Sequence, residues 1–209
     1  MVRELTVTGV FAENCYFYID DVTRHGFIID PGAQADVIID AVVRNGWTIE
    51  RILLTHGHFD HFGAAWQLHD RLHAPIYVST ADARYLTDTY LNLSGNSPTP
   101  MTIPHYEELY DGEIVRLKEN HDFSLKVIAT PGHTPGSVIY YSARDAVAFV
   151  GDTLYEHGPG LTNFPGGNVG DLERSIIDKI LSLPPDTILL SGHSSPITVA
   201  DERRLLLRG

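Results

Sequence analysis

Short apolar runs alternate along the chain with breaks rich in glycine, proline and asparagine. Near the start three runs read as strands: ELTVTG (4–9), NCYFYID (14–20) and GFIID (26–30), each closed by turn residues. The period then changes. In ADVIIDAVVRNG (35–46), Ile38, Ala41, Val42 and Asn45 fall at helical spacing, and Gly46 supplies a C-terminal stop. RILLT (51–55) reads as a short buried strand. FGAAWQLHDRLHA (62–74) reads as a second helix with Phe62, Trp66, His69 and Leu72 on one face, and APIYVS (74–79) as a strand. Residues 85–105 interrupt the pattern with proline, glycine and asparagine, and are expected to form a long loop or lid.

The second half returns to strands with EIVRL (113–117), SLKVIAT (124–130), SVIYYS (137–142) and AVAFV (146–150). A helix over DLERSIIDKILSL (171–183) ends at Pro184 and Pro185; a strand, TILL (187–190), and a last helix, TVADERRLLL (198–207), come next. Each half therefore supplies several strands and then helices. That order predicts an α/β (α+β) chain with two mixed β-sheets packed on each other and helices on the outer faces, rather than a strictly alternating parallel sheet.

Composition narrows the class. With 209 residues, 43% hydrophobic and 20% charged, the chain has the make-up of one globular domain over 1–209 with a sizeable core. Nothing approaches the ~18 consecutive apolar residues of a membrane span, and the N-terminus has no basic stretch leading into an apolar one. The lone cysteine, Cys15, excludes an internal disulfide; both facts predict a cytoplasmic protein. A net charge of −12 argues against nucleic acid and anionic membrane as partners, and leaves a small molecule.

The chemistry lies just beyond the ends of the apolar strands. RILLT runs into HGHFDH, LKVIAT into PGHTPGS, AVAFV into GDTL and TILL into SGHSS. Four strand ends thus deliver histidine or aspartate beside a glycine, and strands in one sheet bring such ends to a common edge. In an extended segment residues i and i+2 point the same way, so His56 and His58 can grip one ion. The chain must then turn, which lets Asp60 and His61 face a second. His133 would complete the first imidazole set and His193 the second, while Asp152 can give one oxygen to each ion. Imidazole and carboxylate without thiolate suit zinc, with iron, manganese and nickel as alternatives. His25, His69, His73, His105, His121 and His157 carry no such pattern and read as packed or solvated residues, and Cys15 as a small buried hydrophobe.

THGHFDHFG, PGHTPGS, GDTL and SGH, in this order, resemble the signature loops of the metallo-β-lactamase superfamily, and NCYFYID…FIIDPG resembles its opening strands. The likeness spans nearly the whole chain. It implies a four-layer αββα sandwich with the metals at one edge of the two sheets. Asp152 stands where the β-lactamase branch typically has a cysteine, so the chain is more similar to the glyoxalase II (hydroxyacylglutathione hydrolase) branch, in which that aspartate bridges the metals. The resemblance implies one metal bound by His56, His58, His133 and Asp152, and a second by Asp60, His61, Asp152 and His193. It also implies support for the site from Asp30 in IIDPG.

Two departures qualify the likeness. Glyoxalase II carries an extra C-terminal helical domain that helps bind glutathione, and a sequence closing on DERRLLLRG is expected to lack it. Close thioesterase and persulfide dioxygenase relatives commonly carry an arginine and an aspartate in the loop after GDTL; here the run is Leu161-Thr162-Asn163-Phe164, which counts against persulfide oxidation. The expected activity is a binuclear metallohydrolase acting on a thioester or similar small acyl compound. Asp60 and Asp152 are its candidate catalytic carboxylates, and Tyr155, Asn163, Phe164 and residues 85–105 its candidate pocket walls. The other readings are lactone or β-lactam hydrolysis, persulfide oxidation on a single iron, phosphodiester cleavage, which the acidic charge disfavours, and a non-catalytic metal-binding module.

Overall fold

The computed structural model describes residues 1–206. A first sheet contains β1 (Val2–Thr8), β2 (Ala12–Ile19), β3 (His25–Ile29), β4 (Thr48–Leu53), β5 (Ile76–Ser79) and β6 (Glu107–Leu109), in that spatial order. β1 to β3 form an antiparallel meander; β4, β5 and β6 then add in parallel. Between β3 and β4 lies α1 (Ala35–Asn45), and between β4 and β5 lie α2 (Phe59–Phe62) and α3 (Ala65–Leu72). The second sheet holds β7 (Ile114–Arg116), β8 (Ser124–Ala129), β9 (Val138–Ser142), β10 (Val147–Gly151), β13 (Ile188–Ser191) and β14 (Ile197–Thr198), ordered β14-β13-β10-β9-β8-β7. Only the β10–β13 pair is parallel. A small ribbon of β11 (Leu154–Tyr155) and β12 (Gly158–Pro159) comes after β10, and α4 (Val169–Arg174) and α5 (Val199–Leu206) flank the second sheet's last strands in sequence.

Strand alternation explains the layers. Successive side chains of a strand take opposite faces. In β2, Cys15, Phe17 and Ile19 join the core beneath α1 and α3, while Tyr16 and Tyr18 enter the core between the sheets. In β10, Val147 and Phe149 face that same central core, and Ala148 and Val150 face the layer under α4 and α5. The result is the expected four-layer αββα sandwich with three apolar interfaces. Among the described residues no helix is long and apolar enough to cross a membrane.

Several local expectations shift. The helix expected over 62–74 starts earlier and breaks. α2 winds from Phe59, and the Ala64 N–H then bonds the Pro31 carbonyl at 2.9 Å instead of continuing the helix. α3 starts afresh at Ala65 and buries Ala65 and Leu68, leaving Trp66, His69 and Leu72 only half-buried. The helix expected from 171 starts at Val169, because the Asn168 side chain caps the Asp171 N–H; past Arg174 it widens into a π turn. Leu207, the last residue of the expected final helix, lies outside the described residues. In 85–105 there is no strand, but Asn92 is buried and donates to the carbonyls of Tyr85 (2.9 Å) and Met101 (3.0 Å), fastening the middle of the segment.

Candidate metal centre

The predicted donors leave the two sheets at one edge. His56 and His58 lie just past β4, Asp60 and His61 on α2, His133 in the β8–β9 loop, Asp152 just past β10, and His193 just past β13. His56, His58 and His133 form one group whose ligand atoms lie within 4.8 Å of one another; Asp60, His61 and His193 form another; and Asp152 groups with His56 and His61 between them. His58 turns its Nδ1 to His133 Nε2 at 2.9 Å. His61 Nε2 stands 3.3 Å from both His193 Nε2 and Asp152 Oδ1. The other Asp152 oxygen, Oδ2, is 3.7 Å from His133 Nε2 and 3.6 Å from His193 Nε2, so one carboxylate faces both groups. His193 Nε2 also lies 3.4 Å from Asp60 Oδ2.

These separations test whether cations fit. Ligand atoms ~2.0–2.1 Å from one tetrahedral ion stand about 3.3 Å apart, close to most of the spacings above. His56 Nε2 and Asp152 Oδ1 are buried without any hydrogen-bond partner, a costly state for polar atoms unless a cation is shared. The donor set therefore fits a pair of divalent ions.

The outward nitrogens are fixed by acceptors behind the site. His193 Nδ1 donates to the Ala12 carbonyl at 2.7 Å, His133 Nδ1 to the Leu161 carbonyl at 2.6 Å, and His61 Nδ1 to Asp30 Oδ2 at 3.0 Å. In the neutral imidazole each of these bonds leaves the Nε2 lone pair aimed at the centre, the tautomer a cation needs. Asp30, in a left-handed conformation at φ 48°, also accepts from Thr55 N–H (2.7 Å) and Thr55 Oγ1 (2.6 Å). Gly192 must be glycine here: a Cβ would sit 2.4 Å from His61 Cε1 and 2.5 Å from Asp152 Oδ1.

Charge follows burial and pairing. Burial, with His133 beside it, pushes the His58 imidazole down to about 3. Burial also lowers His56, helped by the neighbouring imidazoles of His61, His133 and His58. Burial opposes the charges on His61 and Asp152, but their mutual attraction wins, raising the former and holding the latter well below the carboxylate range.

Sequence reasoning missed two buried acids. Glu13, the second residue of β2, is 1% exposed and has both oxygens unpartnered, Oε1 standing 3.8 Å from His61 Nδ1; its one visible signal is a charge shortly before an apolar run. Asp82 lies in a 3₁₀ turn over Thr80–Leu86 and accepts from Gly57 N–H (2.9 Å), Thr134 Oγ1 (2.7 Å) and Gly136 N–H (2.7 Å). No local pattern marks it, since its partners come from two distant loops.

A cavity of about 1000 Å3 opens on the donors. Tyr155 lines it, with its ring 6.3 Å from that of His193, as does Phe164, 5.5 Å from His58. From the 85–105 segment, Leu93, Asn96, Ser97 and Pro98 contribute. Asn163 corrects the expectation: it is exposed and does not line the cavity, which takes Leu161 and Phe164 from that stretch instead. His157 stands apart from the donors and pairs with Glu156 at 3.3 Å. His69 stacks on Trp66 at 5.0 Å and bonds the Ala74 carbonyl, and His73 is an exposed helix end.

In comparisons with known proteins, residues 8–193 match the family model of the metallo-beta-lactamase superfamily. The chain is 33% identical over 204 residues to the hydroxyacylglutathione hydrolase GloC of Haemophilus influenzae, covering 96% of this chain and 94% of that one. Its structure is similar to that of BLEG-1, a B3 metallo-beta-lactamase, with a TM-score of 0.91, 35% identity, and coverage of 98% and 97%. It is also similar to TTHA1623 in a di-iron-bound form, with a TM-score of 0.83, 31% identity, and coverage of 97% and 98%.

Proposed function

The chain belongs to the metallo-β-lactamase superfamily of metal-dependent hydrolases, and from that premise we propose that it holds two divalent ions and hydrolyses thioesters or similar small acyl compounds. The observation that carries this reading is the single carboxylate, Asp152, facing two separate groups of protein donors. His56, His58 and His133 would hold one ion, Asp60, His61 and His193 the other, and Asp152 both. Zinc suits the imidazole-rich set best; the di-iron form of TTHA1623 keeps iron in view.

A pair of divalent ions supplies Lewis acidity and a water whose pKa falls from ~15.7 to near 7. The chain's own groups do the rest. Burial disfavours the charge on Asp60, but its hydrogen bond to His193 and the charge of His61 hold its carboxyl below the usual range, so it is an ionised acceptor able to orient an attacking water. Burial and the nearby Asp152 charge keep Tyr155 protonated, leaving a hydroxyl donor at the cavity wall. Phe164, packed edge-on to His58 and His133, excludes solvent from the first group. The name of GloC supports a thioester substrate. A β-lactam reading draws on the likeness to BLEG-1. Cytoplasmic residence belongs to the same proposal, on the strength of the lone, buried Cys15.

The test is a panel of thioesters, lactones, β-lactams and phosphodiesters on metal-reconstituted protein, with metal content measured beside it. Two equivalents of metal and the highest kcat/KM on a thioester are expected. Full activity with one ion, or turnover of lactones or β-lactams but not thioesters, would overturn the proposal.

A further inference from the structure

Away from the donors the wall of the cavity is mostly apolar, with Asn96, Ser97, Tyr155 and Ser194 its uncharged polar members. Outside the donor cluster, Val10 and Phe11 come from the β1–β2 turn, Leu93 and Pro98 from the 85–105 segment, and Leu161 and Phe164 from the loop after β12. Val10, Phe11 and Leu161 are 63%, 57% and 54% exposed, a cost in hydration that an apolar ligand would remove. Among the described residues no lysine or arginine lines the cavity, and the one charged side chain beyond the cluster is Glu156. A neighbouring recess of about 560 Å3 shares Glu156 and contains His157 and Arg204. Each of those side chains already faces a carboxylate: His157 stands 3.3 Å from Glu156, and Arg204 pairs with Asp201.

An anionic group placed against this wall would give up its hydration and meet neutral donors such as Tyr155 and Asn96, with no lysine or arginine among the described lining residues to pair its charge. At longer range it would approach a chain of net charge −12. An uncharged chain meets neither cost. We propose that the substrate beyond its scissile carbonyl is uncharged and apolar, a medium-length alkyl or aryl acyl group on a neutral thiol, and that Glu156 is a specificity-determining residue that disfavours anionic conjugates such as glutathione thioesters. This rests on the acyl-hydrolase reading above and names the class of substrate for that site.

Binding and turnover are tested separately. In the binding arm, metal-loaded protein is titrated calorimetrically with non-hydrolysable S-alkyl thioethers, butyl to octyl, of mercaptoethanol and of glutathione. Affinity for the mercaptoethanol series should rise roughly fourfold per methylene, and each glutathione thioether should bind at least about tenfold more weakly than its neutral counterpart. Phe11→Ser, at an exposed turn, should flatten the chain-length dependence, and Glu156→Lys should narrow the glutathione penalty severalfold. In the turnover arm, kcat/KM is compared for one acyl group on the two thiols, with the neutral thioester favoured. Equal or tighter binding of the glutathione series, a flat chain-length dependence, or an unchanged penalty in Glu156→Lys overturns the proposal. Expected binding with no thioester turned over would leave this pocket assignment standing and overturn the hydrolytic reading instead.

Discussion

The two nitrogens of His58 meet different surroundings: Nδ1 faces His133, and Nε2 is buried with no partner. Unfolded, this imidazole titrates near its ordinary 6.5; in the fold, burial and His133 push it down to about 3. Between those values the unfolded chain takes up a proton that the fold refuses, so the contribution of His58 to stability falls as pH drops from about 6.5 toward 3. Metal-stripped protein should lose about 2 kcal/mol through His58 between pH ~6.5 and ~5. Urea denaturation at those two pH values should show a smaller loss in His58→Asn, and an equal loss would assign the titration elsewhere. Asp152 gives a second test. In the proposed two-ion centre Asp152→Asn would remove the charge that both cations share, and should cost one equivalent of metal and at least ~100-fold in kcat with little rise in KM; unchanged metal content and turnover would refute the shared role. The residues that supply donor atoms were legible because each comes soon after an apolar strand. Glu13 and Asp82 were not, because a buried acid acquires meaning from partners that only tertiary contact provides.

At the scale of elements, the short 3₁₀ turn Thr80–Leu86 governs the spacing of two donor loops. Asp82 ties the N–H between His56 and His58 to Thr134 and Gly136 beside His133. Tyr85 fills the space that a side chain at Gly57 would need, 2.3 Å from where its Cβ would lie, and donates to the Pro165 carbonyl at 2.7 Å. Burial pushes the Asp82 carboxyl up to about 6, against the pull of its three donors. Asp82→Ala should cost about 2–4 kcal/mol of stability through buried N–H groups left without acceptors. In the proposed two-ion centre it should weaken the ion that His56, His58 and His133 would hold about tenfold or more, with a smaller effect on the other. Stepwise competition with a chromophoric chelator measures both, and Asp82→Asn, which keeps one carbonyl oxygen, should fall between. Equal weakening of the two ions would contradict a clamp local to the first group. Strand periods announced most of the longer strands. β6 escaped because it carries two exposed glutamates and no apolar run, and the start of α3 escaped because the Pro31 carbonyl, distant in sequence, sets it.

Across the whole molecule, the donors come from both sheets and span the chain from His56 to His193, so the centre is complete only when the sheets have docked. The layered architecture was readable from the order of strands and helices in each half. The edge pairings of β6 and β14 were not, since they depend on which strand lies beside them. Ions that bind only the docked state stabilise it by mass action, about 4 kcal/mol per ion at a thousandfold excess over Kd. Stripping the metals should therefore lower Tm by about 10 °C or more in scanning calorimetry, and an unchanged Tm would show that the donors are held together without them. Leu161 adds a consequence of another kind. Its side chain forms part of the cavity wall, while its carbonyl accepts the Nδ1 proton of His133. Descendants that rebuild this stretch to suit a different diet of molecules also alter the electron donation of a metal-gripping ring. Along such a lineage, appetite and metal preference would drift together, and the paths open to selection are those that vary the side chain at 161 while leaving its backbone in place.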